Sequence, residues 1–160
     1  VENIIRVGSA GSYNKNVKVR DIVIAEGACT DSAYAEQFGL PGSFAPIADF
    51  ALLEAAVKNA KAADLSYHVG NVVSSDRFYG DANGLPETNQ PQRLWGKMGV
   101  LAVEMEAAAL YMNAARSSKK ALAVCTVSDS LITGEALSAE ERQSSFTEMM
   151  RLSLETAVSV

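Results

Sequence analysis

The sequence has 160 residues, of which 48% are hydrophobic and 21% are charged, with 14 Lys and Arg against 19 Asp and Glu. This length predicts a single domain, residues 1–160, that is able to bury a core. A net charge of −5 without a basic stripe argues against nucleic acid as a partner. No apolar run is long enough to span a bilayer, so we expect a cytoplasmic protein without a membrane partner.

The cysteines and the histidine offer little chemistry. Cys29 and Cys125 lie far apart without a CxxC spacing, and we predict that both are reduced, buried thiols. His68, the only histidine, lies in a strand-like run and is interpreted as structural. The sequence therefore argues against a metal site and against a histidine-based catalytic triad.

The first residues predict a strand at 3–7 that runs into a small-residue turn at 8–12. Gly8 and Gly11 allow close approach of the backbone, and the Arg6 guanidinium, the Ser9 hydroxyl and the turn amides suit an anion. Neither a Walker loop nor a dinucleotide fingerprint is present. Because a strand is already under way at residue 3, we expect the domain to be incomplete at its N-terminus.

The elements that follow alternate between strands and helices. A capping box, S-x-x-E at 138–141, predicts the last helix. The predicted elements are a strand at 21–25, a loop at 33–46, a helix at 49–62, a strand at 67–74, a loop at 80–91, a short helix at 91–97 and a helix from 138 to about 158.

Residues 100–129 are predicted to form a βαβ unit. Two short apolar runs, 100–103 and 121–127, are typical of strands covered on both faces, and the Ala-rich stretch 107–116 favours a helix. Parallel strands present their chemistry at their carboxyl ends. We therefore expect Glu104, Met105 and Glu106 to lie near Ser128 and Asp129.

This order of elements predicts an α/β fold, a three-layer α/β/α arrangement around a mostly parallel or mixed central sheet. The strand ends then form one composite site. It contains an anion cradle at residues 6–9, the aromatic ring of Phe78, the carboxylates of Glu104 and Glu106, and the acid Asp129. Such a site suits a ligand with a flat ring, a polyol and a nearby oxyanion, as in a nucleoside with phosphate.

Six motifs in order resemble the bacterial, hexameric type of purine nucleoside phosphorylase over essentially the whole chain. They are IIRVGSAG (4–11), DIVIAEGACTDS (21–32), SSDRFY (74–79), VEMEAAALY (103–111), CTVSDS (125–130) and AEERQSSFTEMM (139–150). The resemblance implies phosphorolysis of purine ribonucleosides and deoxyribonucleosides, with phosphate as co-substrate, no cofactor and a homohexamer. It also implies that an N-terminal part, about a third of the family's chain, is absent. That part supplies further phosphate-binding residues and residues reaching a neighbouring subunit.

The resemblance implies a role for each matching position. Asp129 is the catalytic proton donor to purine N7, Arg142 assists it, and Glu106 binds the ribose hydroxyls. The remaining positions are the phosphate-binding residues Arg6, Val7, Gly8 and Ser9 and the nucleoside-binding residues Phe78, Val103, Glu104, Met105 and Ser128. The chain departs from the family at Ala10, where many relatives have Cys, at Ser130, where many have His, and in a longer loop at 80–91.

Three other functions are alternatives. A nucleosidase uses water as its nucleophile and needs no guanidinium to bind it, so Arg6 argues against this function. A uridine phosphorylase acts on pyrimidines, which offer no N7 to Asp129. A catalytically silent nucleoside-binding fragment is the third alternative.

The Gly134 linker further predicts that Arg142 lies away from Asp129 and swings towards it when ligands bind.

Overall fold

The computed structural model describes residues 1–78, 85–144 and 146–160. Within these ranges, five strands and five α-helices make up the fold, with short 3₁₀ helices at Ala33–Phe38 and Glu87–Asn89. In chain order the elements are β1 (Asn3–Ser12), β2 (Ile22–Thr30), α1 (Phe50–Ala62), β3 (Tyr67–Ser74), α2 (Pro91–Lys97), β4 (Ala102–Glu104), α3 (Ala107–Arg116), β5 (Lys120–Ser130), α4 (Ala139–Ser144) and α5 (Thr147–Val158). The predicted bounds of β3, α2 and α3 are confirmed.

The five strands close into a barrel in the order β1-β4-β3-β2-β5. Strands β2, β3 and β4 run parallel to one another, and so do β1 and β5. The two groups meet in antiparallel pairs, β1 with β4 and β2 with β5. The α/β class with a mixed central sheet is therefore confirmed.

The predicted βαβ unit at 100–129 is wrong in its strand pairing. Strand β1 lies between β4 and β5, antiparallel to β4 and parallel to β5, so β4 and β5 run in opposite directions. Strand β4 has only three residues and takes its partners from β1 and β3. Apolar runs predict that strands exist, but the choice of partner depends on contacts distant in sequence.

Strand β1 continues where a turn was predicted at 8–12. It pairs with β5 from Asn3 to Ser12, with a register shift between Ala10 and Gly11. The Arg6 side chain folds over Gly8, which has no side chain to fill that space: a Cβ on Gly8 would lie 2.9 Å from Arg6 Nη1. The small residues of this stretch therefore make room for a side chain within a strand. Strand β2 likewise runs on to Thr30, beyond its predicted end.

The core lies on two faces of the central strands. On one face Ile24 and Val124 pack with Leu52 of α1 and Met149 of α5. On the other face Ala25, Ala123 and Cys125 pack with Tyr111 of α3. Neighbouring residues alternate between the two clusters because successive side chains of a strand point to opposite faces.

Tyr111 links α3 to two strands through a buried hydroxyl. This hydroxyl donates to the carbonyl of Ala25 at 2.6 Å and accepts from the amide of Ala123 at 2.9 Å. Burial raises the pKa of Tyr111 above its usual value, although the hydrogen bond from the Ala123 amide opposes the shift. The phenol is therefore a neutral hydrogen-bonding group that joins α3 to the barrel.

The predicted capping box is confirmed, but the helix it opens is shorter than predicted. The amide of Glu141 donates to Ser138 Oγ at 3.2 Å, and the amide of Ser138 donates to Glu141 Oε2 at 2.9 Å. The structure records α4 and α5 in place of one helix, and Phe146 before α5 has φ −90° and ψ 7°, outside the helical region.

The first part of the predicted 80–91 loop lies outside the described residues. No helix in the described part of the chain has the length and apolar character needed to cross a membrane.

Candidate active site

Arg6 is the centre of a charged cluster on β1. Its Nη1 donates to Cys125 Sγ at 3.2 Å, and its Nη2 donates to Glu106 Oε2 and lies 3.4 Å from Glu104 Oε2. Burial is the largest influence on the pKa of Arg6 and favours the neutral form, but the carboxylates of Glu104 and Glu106 oppose it, and the pKa is raised. The cluster therefore fixes a positive charge beside two carboxylates.

Glu104 is a fully buried carboxylate whose side chain is 0% exposed. Its Oε2 accepts hydrogen bonds from the amides of Glu106 at 3.0 Å and Ala107 at 2.9 Å, and its Oε1 accepts one from the Ser74 hydroxyl. These amides belong to the start of α3, where a negative charge stabilises the helix. Glu104 therefore ties Arg6, β3 and α3 together, while its predicted place in the nucleoside pocket stays a prediction.

Ser74 is a site residue that the sequence reasoning missed. Besides donating to Glu104, its hydroxyl accepts a hydrogen bond from the amide of Ala108 at 2.9 Å, within the first turn of α3. Its one sequence signal is its position as a polar residue at the carboxyl end of a predicted apolar strand. That signal does not reveal the partner, because Glu104 is thirty residues away in the chain.

Cys125 is the neutral member of the Arg6 cluster. It is a free, buried thiol, as predicted, whereas Cys29, for which burial was also predicted, is free but only partly buried. Burial raises its pKa to about 12 although Arg6 opposes the shift. The thiol is therefore protonated near neutral pH. Arg6 forms ion pairs with Glu104 and Glu106 and only a hydrogen bond with Cys125. In the described ranges no group of three or more His, Cys, Asp or Glu residues could hold a metal ion.

Asp129 lies near the end of β5 in a second, looser cluster. Its side chain is 20% exposed, and its Oδ1 accepts a hydrogen bond from Ser128 Oγ at 2.7 Å. Nη2 of Arg142 lies 3.9 Å from the same oxygen, an ion-pair distance longer than a hydrogen bond. Arg142 Nε donates to the carbonyl of Leu137 at 3.2 Å, which holds the guanidinium near this strand end.

This geometry does not match the predicted outward position of Arg142. The guanidinium already lies beside Asp129 in this structure. Gly134, the predicted hinge, has φ 78°, and its amide donates to the Ser130 carbonyl at 2.8 Å. It therefore closes a tight turn that requires the left-handed conformation. A proline there would break that turn, so stiffening by Gly134→Pro is no clean test of hinge motion.

The strand register relates the two clusters. Gly11 on β1 is paired with Val103 of β4 on one side and with Asp129 of β5 on the other. Two strand spacings separate these partners, about 10 Å in total. The structure therefore brings the end of β4 and the end of β5 to opposite sides of one strand, although the two are not neighbours in a parallel sheet.

The other predicted residues occupy different environments. Phe78 follows the end of β3 and is 66% exposed, while Val103 is fully buried. Met105 and Val7 are exposed, and Gly8 and Ser9 are half-buried. Side chains alternate along β1, so the Arg6 and Ser9 side chains point to opposite faces of the strand. The predicted turn that would aim both at one anion is absent, and their shared phosphate role stays a prediction.

Comparisons with known proteins identify a family and several related sequences. A family model described as the phosphorylase superfamily matches residues 1–159. The chain is 47% identical over 157 residues to a purine nucleoside phosphorylase DeoD-type of Clostridium novyi (strain NT). It is 48% identical over 160 residues to a purine nucleoside phosphorylase DeoD-type 2 of Vibrio parahaemolyticus (serotype O3:K6).

These matches cover nearly all of this chain but only part of each relative. The alignment with the Clostridium protein includes 98% of this chain and 65% of the relative. The alignment with the Vibrio protein includes 100% of this chain and 65% of the relative. The chain therefore spans slightly less than two thirds of the length of the curated relatives it matches.

Proposed function

The chain belongs to the phosphorylase superfamily, and from this premise we propose that the whole protein cleaves purine nucleosides and deoxynucleosides with phosphate. The products are the free purine base and ribose 1-phosphate or deoxyribose 1-phosphate. The printed names of the relatives, purine nucleoside phosphorylase DeoD-type, support this substrate class at 47–48% identity. The co-substrate is inorganic phosphate, and no other cofactor is required.

One observation carries the proposal: a partly buried cation on β1 contacts an exposed carboxylate at the start of α3, and an acid lies near the end of the neighbouring strand β5. The cation is Arg6, the carboxylate is Glu106, and the acid is Asp129. A purine nucleoside with phosphate needs these three groups at separate points, namely the phosphate, the ribose hydroxyls and N7 of the base. The strand register places Val103, at the end of β4, and Asp129, near the end of β5, two strand spacings or about 10 Å apart, and we infer that the nucleoside spans this gap.

The reaction develops opposite charges on its two parts. Cleavage of the N-glycosidic bond leaves positive charge on the sugar and negative charge on the departing base. Asp129 donates a proton to N7, and its hydrogen bond from Ser128 orients the carboxyl group. Arg142 then stabilises the carboxylate that remains, because a contact of 3.9 Å to Oδ1 needs only a small movement to become a hydrogen bond.

Phosphate attacks C1′ from the Arg6 side. The guanidinium of Arg6 binds the phosphate oxygens, with the β1 residues Val7, Gly8 and Ser9 beside it, and Glu106 accepts hydrogen bonds from the ribose hydroxyls. Phosphate also places negative charge beneath the cationic sugar. The nucleoside pocket is completed by Phe78, Val103, Glu104 and Met105.

We further propose a three-layer arrangement for the whole protein, supported by the two helical layers that pack on alternate residues of β2 and β5. We also propose that the whole protein is a homohexamer.

The test is base release from inosine by the purified whole protein, with and without inorganic phosphate. We expect hypoxanthine and ribose 1-phosphate in equal amounts only when phosphate is present, and little reaction with uridine. Base release that ignores phosphate would instead identify a nucleosidase. Preference for uridine would identify a pyrimidine phosphorylase, and nucleoside binding without turnover would identify a binding protein.

A further inference from the structure

Arg6 contacts two carboxylates that differ sharply in their surroundings. The Glu104 side chain is 0% exposed and the Glu106 side chain is 61% exposed. Both reach the same guanidinium nitrogen, Nη2. The cation that the proposed function assigns to phosphate is therefore already balanced by protein anions, and phosphate must compete with at least one of them.

Glu104 is held in place by contacts other than Arg6. Two amides at the start of α3 donate to its Oε2, and Ser74 donates to its Oε1. Moving this carboxylate would leave these donors buried and unpaired, which costs far more than an exposed contact returns. Glu104 therefore stays beside Arg6 whatever else binds there.

Glu106 is in the opposite situation. Its carboxylate is mostly in solvent and reaches Arg6 from the residue just before α3. An exposed ion pair of this kind contributes little free energy, so another anion can readily replace the Glu106 carboxylate. Phosphate carries more negative charge than a carboxylate and can accept two hydrogen bonds from one guanidinium, so it is the stronger partner for Arg6.

We propose that Glu106 occupies the phosphate-binding face of Arg6 and that phosphate displaces it, while Glu104 remains as the fixed counter-ion that positions the guanidinium. This inference rests on the proposed function. The displaced Glu106 carboxylate is then free to accept hydrogen bonds from the ribose hydroxyls. Each ligand breaks the same ion pair, so binding of phosphate favours binding of nucleoside and the reverse, as linkage requires.

The test measures phosphate binding alone, without nucleoside, by equilibrium dialysis of the whole protein against radiolabelled inorganic phosphate. Glu106→Gln removes the competing anion, whereas Glu106→Asp keeps the negative charge but shortens the side chain. The pair distinguishes competition for Arg6 by direct contact from simple repulsion between the carboxylate and phosphate. Both variants should bind phosphate about two- to fivefold more tightly than the wild type, the equivalent of one exposed ion pair. Glu54→Gln, which removes an exposed charge on α1, is the matched control and should change nothing.

Glu104→Gln should act in the opposite direction and weaken phosphate binding several-fold, because Arg6 loses its fixed partner. Ser74→Ala, which removes only the hydroxyl that donates to Glu104, should weaken it too and serves if Glu104→Gln fails to fold in a thermal melt. Unchanged or weaker phosphate binding in both Glu106 variants would overturn the inference and leave the proposed function standing. A gain in Glu106→Gln alone would also overturn it, since that result requires only repulsion. A wild type that binds no phosphate would overturn the proposed function and this inference together.

Discussion

The two halves of the candidate site are built differently. On the Arg6 side the cation lies beside a buried carboxylate, which itself accepts hydrogen bonds from two helix amides and a serine hydroxyl, and this cluster joins β1, β3, β4 and α3. On the Asp129 side the acid has one hydrogen bond from its neighbour and an ion pair at 3.9 Å, and it is partly exposed. The anion-binding half is thus part of the core, whereas the acid half is set on a strand end. Removing the buried carboxylate of the Arg6 side should therefore cost more stability than removing the acid of the Asp129 side.

The largest effect is expected for Asp129→Asn. An amide cannot donate an acidic proton to N7, so turnover of inosine should fall roughly a hundredfold or more, the usual scale for a lost general acid. The measurement is kcat/KM for inosine and for 7-methylinosine, whose alkylated base already carries the positive charge that protonation would supply. Loss for inosine should far exceed loss for 7-methylinosine. Equal losses for the two substrates would remove Asp129 from the acid role.

Glu104→Ala should show the reverse behaviour in stability. It leaves two amides of α3 and the guanidinium of Arg6 without their buried partner, which should lower the free energy of unfolding by about 3 kcal/mol. Asp129→Ala, the matched change in the other half, should cost less than about 1 kcal/mol because its carboxylate is partly exposed. Urea unfolding followed by circular dichroism compares the two variants. Similar costs would mean that the two halves are equally embedded in the core.

Arg6→Ala should separate the two substrates. Loss of a charge-assisted contact to phosphate should raise the apparent KM for phosphate about tenfold or more, with a much smaller change in the KM for nucleoside. Arg6→Lys, which keeps the charge but not the paired donors, should fall between the wild type and Arg6→Ala. Initial rates at varied phosphate and saturating inosine give the answer. An unchanged phosphate saturation curve would rule out Arg6 as the anion site.

Arg142→Ala should have a smaller and more selective effect. Since its guanidinium lies 3.9 Å from Asp129, its main contribution comes as the carboxylate forms, and turnover should fall about tenfold with the nucleoside KM nearly constant. Steady-state rates at saturating phosphate measure both constants. The control is Arg20→Ala, because Arg20 is an exposed arginine that forms an ion pair with Glu141, a residue of the helix that also carries Arg142. A rise in KM equal to the fall in kcat would instead make Arg142 a binding residue.

Local sequence signals predicted the local structure well. The apolar runs and the Ala-rich stretch predicted β3 and α3 to the residue, and Ser138 with Glu141 predicted a capping box that the structure confirms. These features depend on residues close together in the chain. The resemblance likewise placed the chain in its family, which the comparisons confirm.

Features that depend on distant contacts were predicted less well. Gly8 and Ser9 are typical of a turn, but pairing with β5 keeps them in a strand, and the space above Gly8 is filled by Arg6. The contact of Ser74 with Glu104 and the position of β1 between β4 and β5 likewise arise only from tertiary structure. Such pairings carry no periodic signal, so the sequence could predict which groups are present at the site but not how they are connected.

The most direct test of phosphorolysis follows the oxygen of phosphate into the product. The whole protein is incubated with inosine and ¹⁸O-labelled inorganic phosphate, and the sugar product is examined by ³¹P NMR. If phosphate on the Arg6 side attacks C1′ while Asp129 protonates the base, every hypoxanthine released is matched by one ribose 1-phosphate with ¹⁸O in the bridge between C1 and phosphorus. Free ribose together with unchanged labelled phosphate would contradict the account.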